Sequence, residues 1–299
     1  MNWEYLREEE FDGAIERSKG VCVIPLGCLE KHGQHLPSGT DSLKAKRLAE
    51  DAAAIEEVTV FPTGMWLGDV CGFHSNPTPE TRRERGGIGL NPHTIMTVLE
   101  ELCDEISRNG FKKILILNSH GGNTDLLGYF TRGLYYKQRD YAVAWTNCTD
   151  AKRINPENMY GVVMERIEDF PYLTEEDLAA MKKFSETGAG GGHADWRETA
   201  VMMHYYPDTV APDRFDAESG LSTHLGDGLR DAELKSGLIY TMNYPNHFAG
   251  YAPFGCSANI GRAMAQLSVE RLVRIFKVLK DDKLLLKRAT DRRFFRLDE

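Results

Sequence analysis

The sequence predicts an α/β protein built on a mainly parallel central sheet with helices on both faces, and three observations carry that prediction. Continuous apolar runs of strand length recur along the chain, helical segments fall between them, and the strand ends break into Gly- and Pro-rich loops. Apolar runs of that kind read as strands buried on both faces, the mark of parallel sheets rather than of half-exposed antiparallel ones.

The elements follow in order. "VCVIPLG" (21–27) is a short apolar strand ending in Pro and Gly signals. "SLKAKRLAEDAAAI" (42–55) combines helical periodicity with good helix formers. "VTVFPTG" (58–64) reads as a second strand, and the stretch after it, through Pro92, has too many Gly and Pro residues for a regular element. "PHTIMTVLEELCDEISRNG" (92–110) is a helix closed by Asn-Gly, and "KKILILNS" (112–119) a fully apolar strand flanked by lysines. Asn123 is placed to cap a helix over roughly 124–139, and "YAVAWTN" (141–147) is the next strand. Residues 151–190 break the rhythm: they are polar, partly helical and end in glycines. They read as an excursion over the sheet within one domain spanning 1–299. "RETAVMMHYY" (197–206) is a helix stopped by Pro207, 224–237 a loop with a short helix, and 260–280 a long amphipathic helix. The tail "RATDRRFFRLDE" either docks on a neighbour or stays loose.

Composition narrows the function classes. With 299 residues, 41% hydrophobic and 27% charged, the chain suits a soluble protein with a real core. A net charge of −9 argues against nucleic-acid binding through phosphate contacts. The acidic start lacks the pattern of a signal peptide, and no apolar run approaches the roughly 20 residues that span a bilayer. The six cysteines are scattered, with no Cys-x-x-Cys pair, so they are expected to be reduced thiols in a cytoplasmic protein.

Three segments concentrate chemistry. In "LGCLEKHGQHLPSGTD", Glu30 and His32 are two apart, so in an extended segment they address one point, and the turn that follows can return Asp41 to it. In "NSHGGN", His120 sits just past the C-terminal end of an apolar strand, the edge where open α/β sheets place ligands, and Gly121 and Gly122 leave room beside it. In "GGHADWRET", His193 lies in a glycine-rich loop and Glu198 in the first turn of a helix. Together they form a mixed N/O donor set suited to Zn, Mn or Fe with open positions. Three carboxylates exceed what one zinc needs, and an aspartate bridging two ions about 3.5–4 Å apart would account for the excess, with a bridging water acidic enough to be hydroxide near neutral pH. Each piece also has a plainer reading. Asp41 could simply cap a helix starting at Ser42, Glu198 could answer the helix dipole, His120 could cap a turn, and His193 could be exposed. His35, His74, His93, His204, His224 and His247 are expected to be structural or on the surface, and Lys31 to point away from Glu30 and His32.

The three motifs, in this order and spacing between about Val21 and Val210, resemble those of the creatininase (creatinine amidohydrolase) family. The resemblance implies a three-layer α/β/α sandwich and two divalent ions, zinc first, with manganese or iron as alternatives. Glu30, His32, Asp41, His120 and Glu198 match metal ligands, with Asp41 as the bridge, and His193 matches an acid/base residue that protonates the leaving group. It further implies a cytoplasmic homo-oligomer, often a hexamer, acting on a small molecule. Where creatininase proper has a tyrosine and a glutamate after the central histidine, this chain has Gly121 and Gly122. The Trp-Asp pair that precedes the third-motif histidine there is replaced here by "TGAGG". The hydrolytic set is intact and the creatinine-reading residues are missing, so a substrate other than creatinine is expected.

The reading is therefore a metal-dependent hydrolase of a small, cyclic, polar substrate, cleaving an amide C–N bond by attack of metal-bound hydroxide on a carbonyl. Opening of a cyclic diketone derived from inositol, with C–C cleavage, begins with the same attack and stands as the alternative. A non-catalytic metal-binding or scaffold subunit is the alternative of another class, and it would call for a damaged ligand set. The irregular stretch 66–86 is expected to line the pocket; Arg82, Arg83 and Arg85 there either pair with an anionic substrate or, the favoured reading, belong to the solvated surface.

Overall fold

The computed structural model describes residues 1–64, 67–70, 86–187 and 192–291. Among these, four strands form one parallel sheet in the order β2-β1-β3-β4, where β1 is Val21–Leu26, β2 Thr59–Val60, β3 Lys113–Asn118 and β4 Ala142–Asn147. The register brings the last residues of the three long strands level: Leu26 pairs with Asn118, and Asn118 with Asn147. Everything after Leu26 and after Asn118 therefore leaves the sheet from the same edge.

Alternation along β1 and β3 explains the layers. Cys22, Ile24, Ile114 and Ile116 face one side, where they pack with Ala14 of α1 (Phe11–Ser18), Ile95, Leu99 and Ile106 of α3 (Pro92–Arg108), and Leu127 and Phe130 of α4 (Asn123–Gly133). Val21, Val23, Leu115 and Leu117 face the other side, against Ala45, Leu48 and Ala52 of α2 (Thr40–Ile55) and Val269, Leu272 and Phe276 of α10 (Ala258–Asp281). The expected parallel sheet with helices on both faces is thus present, and both strand faces are buried.

The excursion carries α5 (Pro156–Met164) and α6 (Glu175–Thr187). Met159, Val163, Phe170, Met181 and Phe184 pack it onto Trp196 and Val201 of α7 (Trp196–Tyr205) and onto Ile260 and Met264 of α10. At the crossing of α7 and α10 the backbones nearly touch: a Cβ on Gly261 would lie 1.8 Å from the Ala200 carbonyl oxygen. Two short helices, α8 (Asp227–Asp231) and α9 (Gly237–Asn243), precede α10, and α11 (Leu284–Thr290) follows it.

Three expectations shift. The strand expected over 58–64 pairs only at Thr59 and Val60, because Pro62 has no N–H to continue the ladder. The helix expected over 124–139 ends at Gly133 and tightens into a single 3₁₀ turn, Leu134–Tyr136. Asn123 is not the cap of that helix: Gly122 holds the cap position, and the Asn123 side chain turns inward to accept from the Asp69 N–H at 2.9 Å. Asn91 does cap α3, accepting from the His93 N–H.

Candidate metal centre

The loop after β1 and the loop after β3 meet at the sheet edge, and α7 closes the space above them. Gly27, directly after β1, makes this approach possible: a Cβ there would lie 2.4 Å from the Ser42 nitrogen and 2.7 Å from the Asp41 carbonyl carbon. The first turn of α2 thus sits against the end of β1 and carries Asp41 to the residues that follow the strand. Asp41 lies inside α2, which begins at Thr40 with Gly39 as its cap, so the capping alternative does not hold.

The six residues singled out by the sequence come together. His120 Nδ1 is 2.8 Å from Glu30 Oε1 and 3.2 Å from Asp41 Oδ2. His32 Nε2 is 3.6 Å from Asp41 Oδ1 and 3.7 Å from Glu198 Oε2. His193 Nδ1 is 3.5 Å from Glu30 Oε1, and its ring centroid lies 4.3 Å from that of His32. Asp41 therefore turns one oxygen toward Glu30 and His120 and the other toward His32 and Glu198. Cys28 joins the first group, with Sγ 3.4 Å from Asp41 Oδ2.

Ring tautomers follow from the backbone carbonyls, which can only accept. His120 Nε2–H donates to the Asp69 carbonyl at 2.6 Å, His32 Nδ1–H to the Glu30 carbonyl at 3.1 Å, and His193 Nε2–H to the Lys31 carbonyl at 2.7 Å. In each neutral ring the other nitrogen then faces the carboxylates with a lone pair, the arrangement that metal-ligating histidines adopt. Glu30 Oε1 and His32 Nε2 are buried without a hydrogen-bond partner, although both are surrounded by polar atoms. Ligand atoms about 2.0–2.1 Å from a common ion stand roughly 3–3.5 Å apart. These donor sets have close to that spacing, with lone-pair-bearing atoms converging on common points, so the residues present fit divalent cations.

Without cations, the electrostatics are those of a tightly packed charge cluster. Burial alone would depress the His32 imidazole, and the carboxylates of Asp41, Glu198 and Glu30 outweigh it, holding the ring at about 9. Burial likewise disfavours the charged form of His120, and Glu30 and Asp41 among its neighbours reverse this, holding it well above its ordinary value. Glu30 resists the upward push of burial through His193 and His120 and stays at about 2. Asp41, opposed by burial and favoured by Lys44 and His32, is held well below the usual carboxylate range. A cation entering such a site displaces protons from the two rings.

The supporting shell was only partly legible. Asn118 Oδ1 accepts from the His120 N–H at 3.2 Å and its Nδ2 donates to the His120 carbonyl at 2.8 Å, which locks the loop. Gly121 leaves open space, as expected. Gly122 does not: a Cβ there would lie 2.4 Å from the Asp69 oxygen and 2.6 Å from His120 Nε2, so the His120 ring and the backbone fill that room. Glu198 is fixed by the Ala194 N–H at 2.7 Å on Oε2. Asp195, one residue before α7, caps it by accepting from the Arg197 and Glu198 N–H groups. His35 is structural: its Nε2 bridges the Ala194 carbonyl and Thr199 Oγ1 and so ties the first motif to the third. Lys31 turns away, pairing with Glu218 at 2.8 Å. His204 packs beside the Tyr205 ring. His74, Arg82, Arg83 and Arg85 lie outside the described residues, and of 66–86 the described Asp69 and Val70 do line a cavity at the centre.

Two cavities open onto the cluster. The larger, about 670 Å³, is lined by Glu30, His120 and His193 of the cluster and by a wall of Tyr240, Tyr244 and His247. The smaller, about 230 Å³, is more polar and reaches Lys44, Asn147 and Glu198. Lys44 and the wall residues are the site features that sequence reasoning missed. Lys44 carries the charge expected on any helix surface, and Tyr240, Tyr244 and His247 sit in a segment without a motif. Among the described residues, no helix is long and apolar enough to cross a membrane.

Comparisons with known proteins point to one family. A family profile described as creatinine amidohydrolase matches residues 4–276. Creatinine amidohydrolase of Pseudomonas putida is 24% identical over 214 residues, 69% of this chain and 72% of that protein. The mycofactocin precursor peptide peptidase of Mycobacterium ulcerans (strain Agy99) is 24% identical over 197 residues, 65% of this chain and 62% of its own length. A mutant creatininase of Zn-Zn type superposes with a TM-score of 0.67 at 17% identity, covering 94% of this chain and 98% of the other, a likeness of fold.

Proposed function

The chain belongs to the creatinine amidohydrolase family, and from that premise we propose that it is a metal-dependent hydrolase cleaving an amide C–N bond in a small, cyclic, polar substrate. The observation that carries the reading is the division of Asp41: Oδ2 lies with Glu30 and His120, Oδ1 with His32 and Glu198. Glu30, Asp41 and His120 would hold one divalent ion and His32, Asp41 and Glu198 the other, zinc first, with manganese or iron as alternatives. When bound, such a pair supplies Lewis-acid polarisation of a carbonyl and acidification of the attacking water. The relatives named above are, by their names, an amidohydrolase and a peptidase, which favours C–N over C–C cleavage.

The chain's own side chains do the rest. His193 keeps Nε2–H on the Lys31 carbonyl, so Nδ1 is the atom that takes up a proton and returns it to the leaving nitrogen. That atom faces the cluster, 3.5 Å from Glu30 Oε1. Gly121 leaves space beside the cluster for the reacting carbonyl. Tyr240 and Tyr244, with ring centroids 5.3 Å apart, offer an aromatic wall against which a planar ring can lie. Creatinine itself is not proposed as the substrate, because Gly121 and Gly122 replace the side chains that follow the central histidine in creatininase. A cytoplasmic homo-oligomer, by resemblance a hexamer, completes the proposal.

The test is metal analysis of the purified chain followed by a panel of cyclic amides, formamides, short peptides and oxidised cyclitols. Turnover of an amide that disappears with chelation and returns with a divalent ion supports the proposal. Turnover only of a cyclic diketone reassigns the bond to C–C. No bound ion and no turnover on adding one leaves a non-catalytic subunit.

A further inference from the structure

One buried cation at the centre has no part in the reaction just proposed. Lys44 lies one turn along α2 from Asp41, with its side chain 4% exposed. Its ammonium reaches Asp41 Oδ1 at 3.4 Å and donates to Glu198 Oε1 in a closer contact. Those are the two carboxylates that join His32, and among the described residues they are the acidic groups that Lys44 pairs with, while Glu30 completes the other set. We propose that Lys44 is a positioning residue that makes the two metal sites unequal: its fixed charge weakens the His32–Asp41–Glu198 site, so that the Glu30–Asp41–His120 site fills first and the other holds an exchangeable ion. This rests on the two-ion reading above.

Charge and geometry argue in the same direction. A positive charge a few ångströms from a divalent ion, in an interior with an effective dielectric constant of about 20, repels it by much more than a tenfold change in affinity requires. Burial keeps salt from screening the effect. The ammonium is not what aims the ligands. Glu198 Oε2, the oxygen facing His32, is held by the Ala194 N–H at 2.7 Å, and Asp41 Oδ2 is engaged by Cys28 and His120. Removing the charge therefore leaves both carboxylates in place. Arg197, the nearest other cation in sequence to Glu198, is turned to Asp195 at 2.6 Å. The lysine also has a reason to be there: with the second ion absent, it joins the His32 ring in offsetting the charge of two buried carboxylates.

The experiment is calorimetric titration of the chelator-stripped full chain with Zn²⁺ and with Mn²⁺, for wild type, Lys44→Met and Lys44→Arg. Wild type is expected to bind two ions in two steps, the second weaker. Lys44→Met keeps the stoichiometry and tightens the second step by about tenfold or more, with a smaller change in the first. Lys44→Arg keeps the gap. Two equal steps in wild type overturn the proposal, as does a Lys44→Met protein whose second step is unchanged or weaker. A merely structural lysine would move both steps or neither. If Lys44→Met folds only when ions are present, the carboxylates have become dependent on the second ion, which supports the proposal; if it fails to fold even then, Lys44→Gln takes its place under the same criteria. Wild type that binds no divalent ion sinks the two-ion reading itself, a result distinct from any of these.

Discussion

Replacing Asp41 with Asn keeps the shape of the side chain and removes its charge. In the structure each Asp41 oxygen has its own partners: Oδ1 faces Lys44 at 3.4 Å and His32 at 3.6 Å, Oδ2 faces His120 at 3.2 Å and Cys28 at 3.4 Å. An amide offers one acceptor and one NH₂ group. Whichever way it turns, one of the two partner sets meets a donor where it had an acceptor. Since loss of an outer-shell partner alone typically weakens metal binding about 10–100-fold, loss of a shared ligand should exceed about 100-fold at one site at least. The metal-free fold suffers as well. Asp41 is 2% exposed, and breaking a buried charge pair costs roughly 3–5 kcal/mol, partly relieved here because Lys44 keeps Glu198. At about 2–4 °C per kcal/mol, a fall of roughly 6 °C or more in the Tm of metal-free protein is expected. The assays are metal content after dialysis, which should drop from two ions per chain to one or none, and differential scanning fluorimetry. An Asp41→Asn protein that retains two ions and full activity would refute the bridging assignment.

Three further outcomes are expected. His193→Ala should keep its metal content and lose about 10²–10⁴ in kcat, the usual worth of a positioned general acid; loss of metal with the rate would make His193 a ligand instead. Gly261→Ala should destabilise the chain by about 1–3 kcal/mol or more in denaturant titration, because its Cβ would sit 1.8 Å from the Ala200 oxygen; an unchanged midpoint would show that α7 and α10 can separate freely. In metal-free protein the His32 ring is raised from 6.5 to about 9, so its contribution is complete below pH 6.5 and fades as pH rises to about 9. Glu30, lowered from 4.5 to about 2, contributes fully above pH 4.5 and is lost as pH falls toward 2. Thermal stability without metal should therefore peak between about these limits and decline above pH 6.5, while metal affinity rises over the same alkaline range because the rings must lose their protons.

The parallel sheet was legible because β1 is apolar throughout and β3 is apolar between Lys113 and Asn118, and such runs leave few alternatives. The candidate ligands were legible for a different reason. Each of Glu30, His32, Asp41, His120, His193 and Glu198 has a plainer role open to it alone, and three ordered motifs that constrain one another single them out together. What stayed hidden is chemistry spoken by ordinary residues. Lys44 looks like any charged residue of a helix until the fold buries it. The carbonyls of Asp69, Glu30 and Lys31 orient the three rings, and a backbone carbonyl leaves no mark in a sequence. Tyr240, Tyr244 and His247 reach the cavity from some two hundred residues beyond the first motif, through a segment with no periodicity to read. Gly122 suggested empty space, and only the positions of Asp69 and His120 show that the space is taken.

The central claim is that Asp41 stands between two divalent ions. Crystals grown with Zn²⁺ or Mn²⁺ and measured at the metal absorption edge test it most directly. The account predicts two anomalous peaks per chain, one within coordinating distance of Glu30, Asp41 and His120 and one within that distance of His32, Asp41 and Glu198. A single peak at saturating ion, or two peaks that do not share Asp41, would contradict it.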